Sequence, residues 1–246
     1  MNRGTSSILA GALGLALAAS CGCQGYARIA WDLPKPAEVG EKTPLAVGDL
    51  AELKRQGGVY DSRPVETVIG KHTFTVFAIP VGNLNTHPTT PLKASFARAL
   101  RDGLEAAGYE LVPAGEAPAD GPVLRGEVNA CWWWSYFWLW PVVVQGGQNK
   151  ATLILESRDG TALWKREFSR IAPGVSPGGA FAFDVMIKRS MTRLVQDVVD
   201  ACSSEEFRSA LRRGRAAGHT AMRQPGQAAR AARRAPTALP RPRRVW

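Results

Sequence analysis

The sequence predicts an α+β domain in which a mostly antiparallel sheet carries two long helices on one face. Segments with alternating apolar and polar residues predict strands, and two segments with an apolar residue at every third or fourth position predict the helices. The order along the chain is strand, helix, several strands joined by short turns, and helix. That order favours helices gathered on one face of an antiparallel sheet.

Five segments are predicted as strands from their alternation and from the turn residues that bound them. They are Leu45–Val47, His72–Ile79, Val123–Ala130, Ala151–Glu156 and Ala162–Ser169. Arg158-Asp159-Gly160 is predicted as the hairpin turn between the last two. Gly146-Gly147 is also predicted as a turn.

Two long helices and a short one are predicted. The first begins at Thr90-Pro91, because threonine can cap a helix and proline loses no hydrogen bond at the first helical position. It ends at Gly108, a residue suited to a left-handed C-terminal position. The second runs from about Phe183 to Ala201. A short last helix, Glu205–Arg213, is predicted to follow it and to end at Gly214.

Residues 1–20 have the layout of a secretory signal, with an apolar run from Ile8 to Ala19 and small residues directly before Cys21. The run is too short for a transmembrane helix, which needs about 20 apolar residues. The segment resembles a bacterial lipoprotein signal, in which this cysteine is acylated and becomes the mature N-terminus. The resemblance implies lipidation at Cys21 and, because Gly22 and not aspartate follows, an outer-membrane anchor facing the periplasm. An ordinary cleaved signal is the alternative, and Cys23 is a poorer acylation site.

Residues 21–44 are predicted as the acylated N-terminus and a tether, because they are polar, contain three prolines and lack apolar periodicity. The α+β domain is predicted to span residues 45–211.

The formal net charge of +10 comes from the C-terminal end of the chain. Residues 212–246 contain ten arginines and no acidic residue, and they lack apolar bulk, so they are predicted to be a disordered basic tail. Two interpretations stay open: the tail contacts anionic lipid by charge, or it is a solvated appendage. Nucleic acid is not expected as a partner of an exported protein.

Several short motifs resemble those of the YajG-type family of periplasmic lipoproteins. They are Asp61-Ser62-Arg63-Pro64 followed by Ile69-Gly70, the helix end Leu104–Tyr109, Ala119-Asp120, and a "LxGxV" strand at Leu124–Val128. The resemblance covers about residues 45–211. It implies a fold similar to that of the lipopolysaccharide-assembly lipoprotein, and it implies no catalytic residue.

An aromatic run departs from that family's pattern. The segment 131–141 reads CWWWSYFWLWP, and its aromatic residues are Trp132, Trp133, Trp134, Tyr136, Phe137, Trp138 and Trp140. It is predicted as an extended hairpin in which strict alternation separates residues 132, 134 and 136 from residues 133, 135 and 137. Three interpretations stay open: an aromatic core, a tip that dips into the bilayer, where tryptophan and tyrosine favour the headgroup region, and a surface that binds a partner. The last two together are preferred, because the anchor holds the domain near a membrane.

The residue pattern indicates no catalytic site, cofactor or metal. His72, His87 and His219 are scattered and lack the spacing of a zinc site, and no glycine-rich loop precedes a helix in phosphate-binding form. Cys131 and Cys202 are predicted to form either a disulfide in an oxidising periplasm or two buried free thiols.

These observations predict a non-catalytic, lipid-anchored outer-membrane protein that acts as a binding or assembly accessory in the cell envelope, with an envelope protein as its partner. An auxiliary lipoprotein of an envelope transport system is the alternative.

Overall fold

The computed structural model describes residues 25–37, 42–54, 66–74, 79–116, 121–139, 142–176 and 183–223. Within these ranges the chain forms one nine-stranded sheet and three helices. The strands are β1 (Gly25–Ala27), β2 (Thr43–Val47), β3 (Glu52–Leu53), β4 (Val68–Phe74), β5 (Ile79–Thr86), β6 (Tyr109–Pro113), β7 (Val123–Leu139), β8 (Val142–Glu156) and β9 (Ala162–Ser176). The helices are α1 (Leu92–Ala106), α2 (Phe183–Cys202) and α3 (Glu205–Arg223).

The sheet is built around β7, which is 17 residues long. β8 pairs antiparallel with β7 along its length, and β9 pairs antiparallel with β8. On its other side, β7 pairs parallel with β2, β3 and β4 in turn. β5 is antiparallel to β4, β1 is parallel to β5, and β6 is parallel to β2. One strand therefore holds together strands from both halves of the chain.

The predicted fold class is wrong in its sheet. Among the described residues, five of the eight strand pairs are parallel, so the sheet is mixed rather than mostly antiparallel, although its two longest ladders are antiparallel. Parallel partners such as β4 and β7 are far apart in sequence. Apolar alternation identifies a strand but carries no information about the direction of its neighbour.

Three further predictions about elements are corrected. The strand predicted over residues 72–79 is divided between β4 and β5, which are antiparallel and pair Phe74 with Ile79. The short last helix is the 19-residue α3, so residues 212–223 of the predicted tail are helical. Gly214, which was predicted to end the helix, lies inside α3. Close packing explains the glycine at this position, because a Cβ on it would lie 2.6 Å from Leu163 Cδ1.

The core lies between the sheet and the helices and consists of two clusters. The first is at the end of the sheet where β7 begins, and it joins Leu104 of α1, Leu124 of β7 and Leu194 of α2 with other apolar residues. The second is at the opposite end, and it contains Phe96 of α1 and Trp133 of β7. Since helix residues share both clusters with β7, the helices cover one face of the sheet, and within the described ranges the other face carries no helix.

Residues 25–37, part of the predicted tether, pack against the domain. Ala27 and Ile29 are buried in the second cluster. Three backbone N–H groups donate to side chains spaced along α2: those of Arg28, Asp32 and Lys35 bond to Asp184, Thr192 and Gln196 at 2.8, 2.9 and 3.1 Å. The side chain of Thr90 accepts a bond from the Ile29 N–H at 3.2 Å and makes no cap bond to α1. This segment is therefore a strap across the helices.

Two glycines from the family-like motifs lie where another backbone passes against them. A Cβ on Gly126 would lie 2.1 Å from the carbonyl oxygen of Leu50, and a Cβ on Gly70 would lie 1.9 Å from that of Trp133. The residues two before and two after Gly126 are fully buried. Packing therefore explains the "LxGxV" pattern: two core side chains flank a point of backbone contact.

Gly126→Ala should lower the free energy of unfolding by roughly 2–3 kcal/mol, because the obstructing atom is a backbone oxygen that cannot rotate away. Gly115→Ala is the control, since no heavy atom lies within 4 Å of a Cβ there, and it should change stability by less than about 0.5 kcal/mol. Urea unfolding followed by circular dichroism measures both. Equal stability of the two variants would contradict the packing explanation.

Candidate functional site

The aromatic run lies in β7 and divides between the two faces of the sheet. Cys131, Trp133 and Ser135 face the helices and are at most 3 % exposed. The alternating residues Trp132, Trp134 and Tyr136 lie on the helix-free face and are half-buried. The alternation predicted from the sequence is thus observed over residues 131–136. Phe137 and Trp138 belong to β7, but their side chains, and Trp140 altogether, lie outside the described residues.

Two glycines make room for two of these tryptophans. In the antiparallel ladder, Trp133 pairs with Gly147 and Trp134 pairs with Gly146. A Cβ on Gly147 would lie 2.4 Å from Trp133 Cδ2, and a Cβ on Gly146 would lie 2.4 Å from Trp134 Cζ2. Each indole ring therefore lies over its glycine partner, one on each face of the sheet. The turn predicted at Gly146-Gly147 is wrong, because both residues are inside β8.

The helix-free face carries an apolar patch at this end of the sheet. The rings of Trp134 and Tyr136 are in contact, with centroids 5.0 Å apart and planes inclined at 47°. β9 adds Ile171, in register with Trp132 across β8, and Val175, in register with Tyr136. Ile171 is 69 % exposed and Val175 is 67 % exposed. We call Trp132, Trp134, Tyr136, Ile171 and Val175 the aromatic patch.

Sequence reasoning did not find the two β9 residues of the patch. The predicted strand ended at Ser169, whereas β9 continues through Pro173 to Ser176. Pro173 is tolerated because β9 is an edge strand, where one side of the backbone needs no partner strand.

A buried polar pair lies beneath the patch, on the helix side. His72 of β4 and Ser135 of β7 are in register and share a hydrogen bond of 2.8 Å between Nδ1 and Oγ. Phe183 of α2 packs edge-on against the imidazole ring, with centroids 5.6 Å apart. Burial lowers the pKa of His72 from its ordinary value of 6.5. Because Ser135 has no exposed surface, this pair braces the sheet and offers no nucleophile to a substrate.

Cys131 and Cys202 are free thiols. Both are buried, Cys131 in the second core cluster and Cys202 in the first, so the disulfide alternative is not formed. Burial raises the pKa of both thiols, that of Cys131 to about 12. Neutral, buried thiols are structural rather than reactive groups.

Within the described ranges, no group of three or more histidine, cysteine, aspartate or glutamate side chains is placed to hold a metal ion. In the same ranges, none of the helices has the length and apolar character needed to cross a membrane.

The chain is similar to several solved bacterial structures at low sequence identity. A DUF330 protein from Xanthomonas campestris is 11 % identical with a TM-score of 0.46, over 71 % of this chain and 92 % of that one. A neuraminyllactose-binding hemagglutinin homolog from Helicobacter pylori is 13 % identical with a TM-score of 0.37, over 75 % and 97 %. Lipoprotein GNA1162 from Neisseria meningitidis is 14 % identical with a TM-score of 0.27, over 65 % and 99 %.

One of these neighbours is named a lipoprotein, and none of these similarities shows the predicted YajG-type family. No protein-family model and no curated protein sequence matches the chain. At these identities and TM-scores none of the neighbours defines what this chain binds, and the proposal below rests on its own residues.

Gly147→Ala should destabilise the protein more than Gly146→Ala. Trp133 is held in the core and cannot leave its place over Gly147, so the added methyl group should cost roughly 2–3 kcal/mol. Trp134 is half-exposed and can swing outward, so the methyl group at residue 146 should cost less than about 1 kcal/mol and shift tryptophan emission to longer wavelength. Urea unfolding and emission spectra test this order, and equal costs would contradict it.

Stability should fall as the pH is lowered below about 6.5. Because the pKa of His72 is lowered in the folded state, the unfolded chain binds more protons between the two pKa values. The contribution of neutral His72 to the free energy of unfolding is therefore fully present above the unfolded pKa, and it is lost progressively as the pH falls through that window. His72→Gln should flatten this dependence, and His87→Gln, on a loop outside the sheet, should leave it unchanged. The test is the midpoint of urea unfolding measured from pH 4.5 to 8. If the midpoint changes with pH by the same slope in both variants, His72 is excluded as the titrating group.

Proposed function

We propose that the chain is a non-catalytic lipoprotein of the outer membrane, anchored on the periplasmic side by acylated Cys21, and that its aromatic patch rests on the bilayer. The rest of the domain then acts as a binding or assembly accessory within the envelope. The observation that carries this proposal is the direction of β1, which relates the anchor to the patch.

The register of the strands fixes that direction. β1 is parallel to β5, so the N-terminal end of β1 at Gly25 faces the end of β5 that begins at Ile79. Ile79 pairs with Phe74, and Phe74 pairs with Phe137 of β7. The N-terminus of β1 therefore points to the end of the sheet where the aromatic run lies.

The distance from the anchor to the sheet is short. Cys21 precedes Gly25 by four residues, which reach at most about 14 Å when fully extended. A domain held so closely cannot stand far from the lipid surface. The end of the sheet that carries the aromatic patch is then the part nearest to the membrane.

The chemistry of the patch suits that position. Tryptophan and tyrosine favour the headgroup region of a bilayer, where one part of the ring system is apolar and another is polar. Exposed Ile171 and Val175 add aliphatic surface that water solvates poorly. Lys71 is exposed and lies in register with Trp134, so a positive charge is available to anionic headgroups beside the apolar surface. The proposed contact with the bilayer therefore consists of apolar and basic side chains, and no acidic side chain takes part in it.

Acylated protein in vesicles of phosphatidylethanolamine and phosphatidylglycerol tests the orientation. With brominated acyl chains, which quench tryptophan emission at close range, wild-type emission should be quenched. Trp134→Phe should lower the quenched fraction, because it removes an emitter at the bilayer. Trp164→Phe is the matched control: Trp164 is buried in the first core cluster, so its loss should not lower that fraction. Cys21→Ser should release the chain from the membrane fraction, and Cys23→Ser should not.

If wild-type emission is not quenched while the acylated protein remains bound, the patch faces away from the bilayer and the proposed orientation is wrong. If Cys21→Ser stays in the membrane fraction as the wild type does, the proposed anchor is wrong. A transporter subunit that co-purifies with the wild type but not with Trp134→Ser would favour the transport-auxiliary alternative.

A further inference from the structure

A second candidate site lies at the opposite end of the sheet. A cleft of about 280 Å³ opens between α3 and the adjoining starts of β2 and β6. Three arginines of α3, Arg208, Arg212 and Arg215, line it together with Thr43 and Gly108. The cleft lies beyond the start of β7 at Val123, and the aromatic patch begins nine residues later at Trp132, so roughly 30 Å of strand separates the two sites at about 3.3 Å per residue.

The spacing of the arginines places them on one face of α3. Residues at i, i+4 and i+7 of an α-helix form a single stripe. The stripe is fixed in direction because Phe207, next to it, is fully buried and packs edge-on against Tyr109 and Trp164, with ring centroids 5.6 and 4.8 Å away. The three guanidinium groups are therefore held toward the cleft by the packing of the helix.

The cleft carries a positive charge that its contacts neutralise only in part. Arg212 pairs with Glu205, and Arg215 donates to the carbonyl oxygen of Pro44. Among the described residues, Glu205 is the carboxylate in contact with these arginines, so three cations and one anion leave two positive charges. Tyr109 adds no negative charge, because burial raises its pKa to about 12 and its hydroxyl donates to the Cys202 carbonyl oxygen at 2.9 Å.

We propose that this cleft binds the phosphate group of a soluble phosphomonoester. Guanidinium groups form bidentate, charge-assisted hydrogen bonds with phosphate oxygens, and three of them converging on one cavity match a dianion better than a carboxylate. A volume of about 280 Å³ accommodates a phosphate with a small organic group and is too small for a folded partner.

A lipid headgroup offers the same chemistry, and the position of the cleft decides between the two sources. With the aromatic patch on the bilayer, the cleft faces away from that bilayer at a distance no headgroup spans. This choice of source rests on the proposed membrane orientation, whereas phosphate binding itself does not.

Glu205 competes with the ligand for Arg212. Its side chain is 70 % exposed, and the contact with Arg212 lowers its pKa, so it is ionised at neutral pH. A phosphate entering the cleft must displace this carboxylate or share the guanidinium with it. Removing the carboxylate should therefore strengthen binding, an effect that a misfolded variant cannot imitate.

Isothermal titration of the detergent-solubilised, acylated protein with sn-glycerol 3-phosphate tests the site. Arg208→Gln/Arg215→Gln should weaken binding by roughly tenfold or more, and Glu205→Gln should tighten it by about threefold or more. Arg189→Gln/Arg193→Gln, which removes the same charge from two exposed residues of α2, is the matched control and should bind as the wild type does.

The second arm of the experiment separates the two sources. The preference of the protein for vesicles with phosphatidylglycerol over vesicles of phosphatidylcholine should be the same in the wild type and in Arg208→Gln/Arg215→Gln. Loss of that preference in the variant, without binding of glycerol 3-phosphate to the wild type, would assign the cleft to headgroups and overturn the proposal. Equal weakening in the α2 control would also overturn the proposal, because binding would then follow net charge alone. No tightening with Glu205→Gln would overturn it as well, because Glu205 would then not compete with the ligand for Arg212.

Discussion

The pairing of two tryptophans with two glycines across β7 and β8 is the constraint on which this end of the structure depends. A side chain at residue 146 or 147 would occupy the space of an indole ring. With glycine there, Trp133 enters the core on one face and Trp134 lies flat on the other. The pairing works only in one register, because a shift of one strand by one residue would turn the wrong face of that strand toward the helices. The same contact therefore fixes the hairpin and presents the aromatic patch.

A fixed β7 in turn determines the rest of the sheet. The edge of β7 opposite β8 pairs with β2, β3 and β4. At two points on this side the backbones are so close that only glycine fits, Gly126 against Leu50 and Gly70 against Trp133. Gly70 precedes the buried pair of His72 and Ser135, which continues the contact between β4 and β7 toward the aromatic end. The core of this end is thus held by close backbone packing and one polar contact as well as by apolar area.

The sequence allowed the two long helices and the faces of the aromatic run to be predicted, because periodicity is local information. It did not allow the parallel pairs to be predicted, since they depend on where distant strands meet. The pairing of the tryptophans with the glycines could have been predicted. Residues 134 and 146 are equally distant in sequence from Trp140, and so are residues 133 and 147. Counting outward from Trp140 in both directions therefore aligns the tryptophans with the glycines. The arginine cleft could not be predicted, because the sequence does not show where α3 docks, and three arginines on a basic helix have the same pattern as a solvated face.

The residues of the edge strand β9 limit where another chain can pair with the sheet. β9 is a 15-residue edge strand, and long exposed edges invite pairing with another chain. Lys165, Arg166 and Glu167 are exposed at its centre, and Pro173 lacks an N–H, so these residues oppose such pairing along most of the strand. The middle of β9 is therefore charged, while its aromatic end beyond Arg170 carries Ile171 and Val175. In the proposed arrangement the apolar end is near the anchor and the cationic end is away from it, so the domain would be held at one end and would bind at the other.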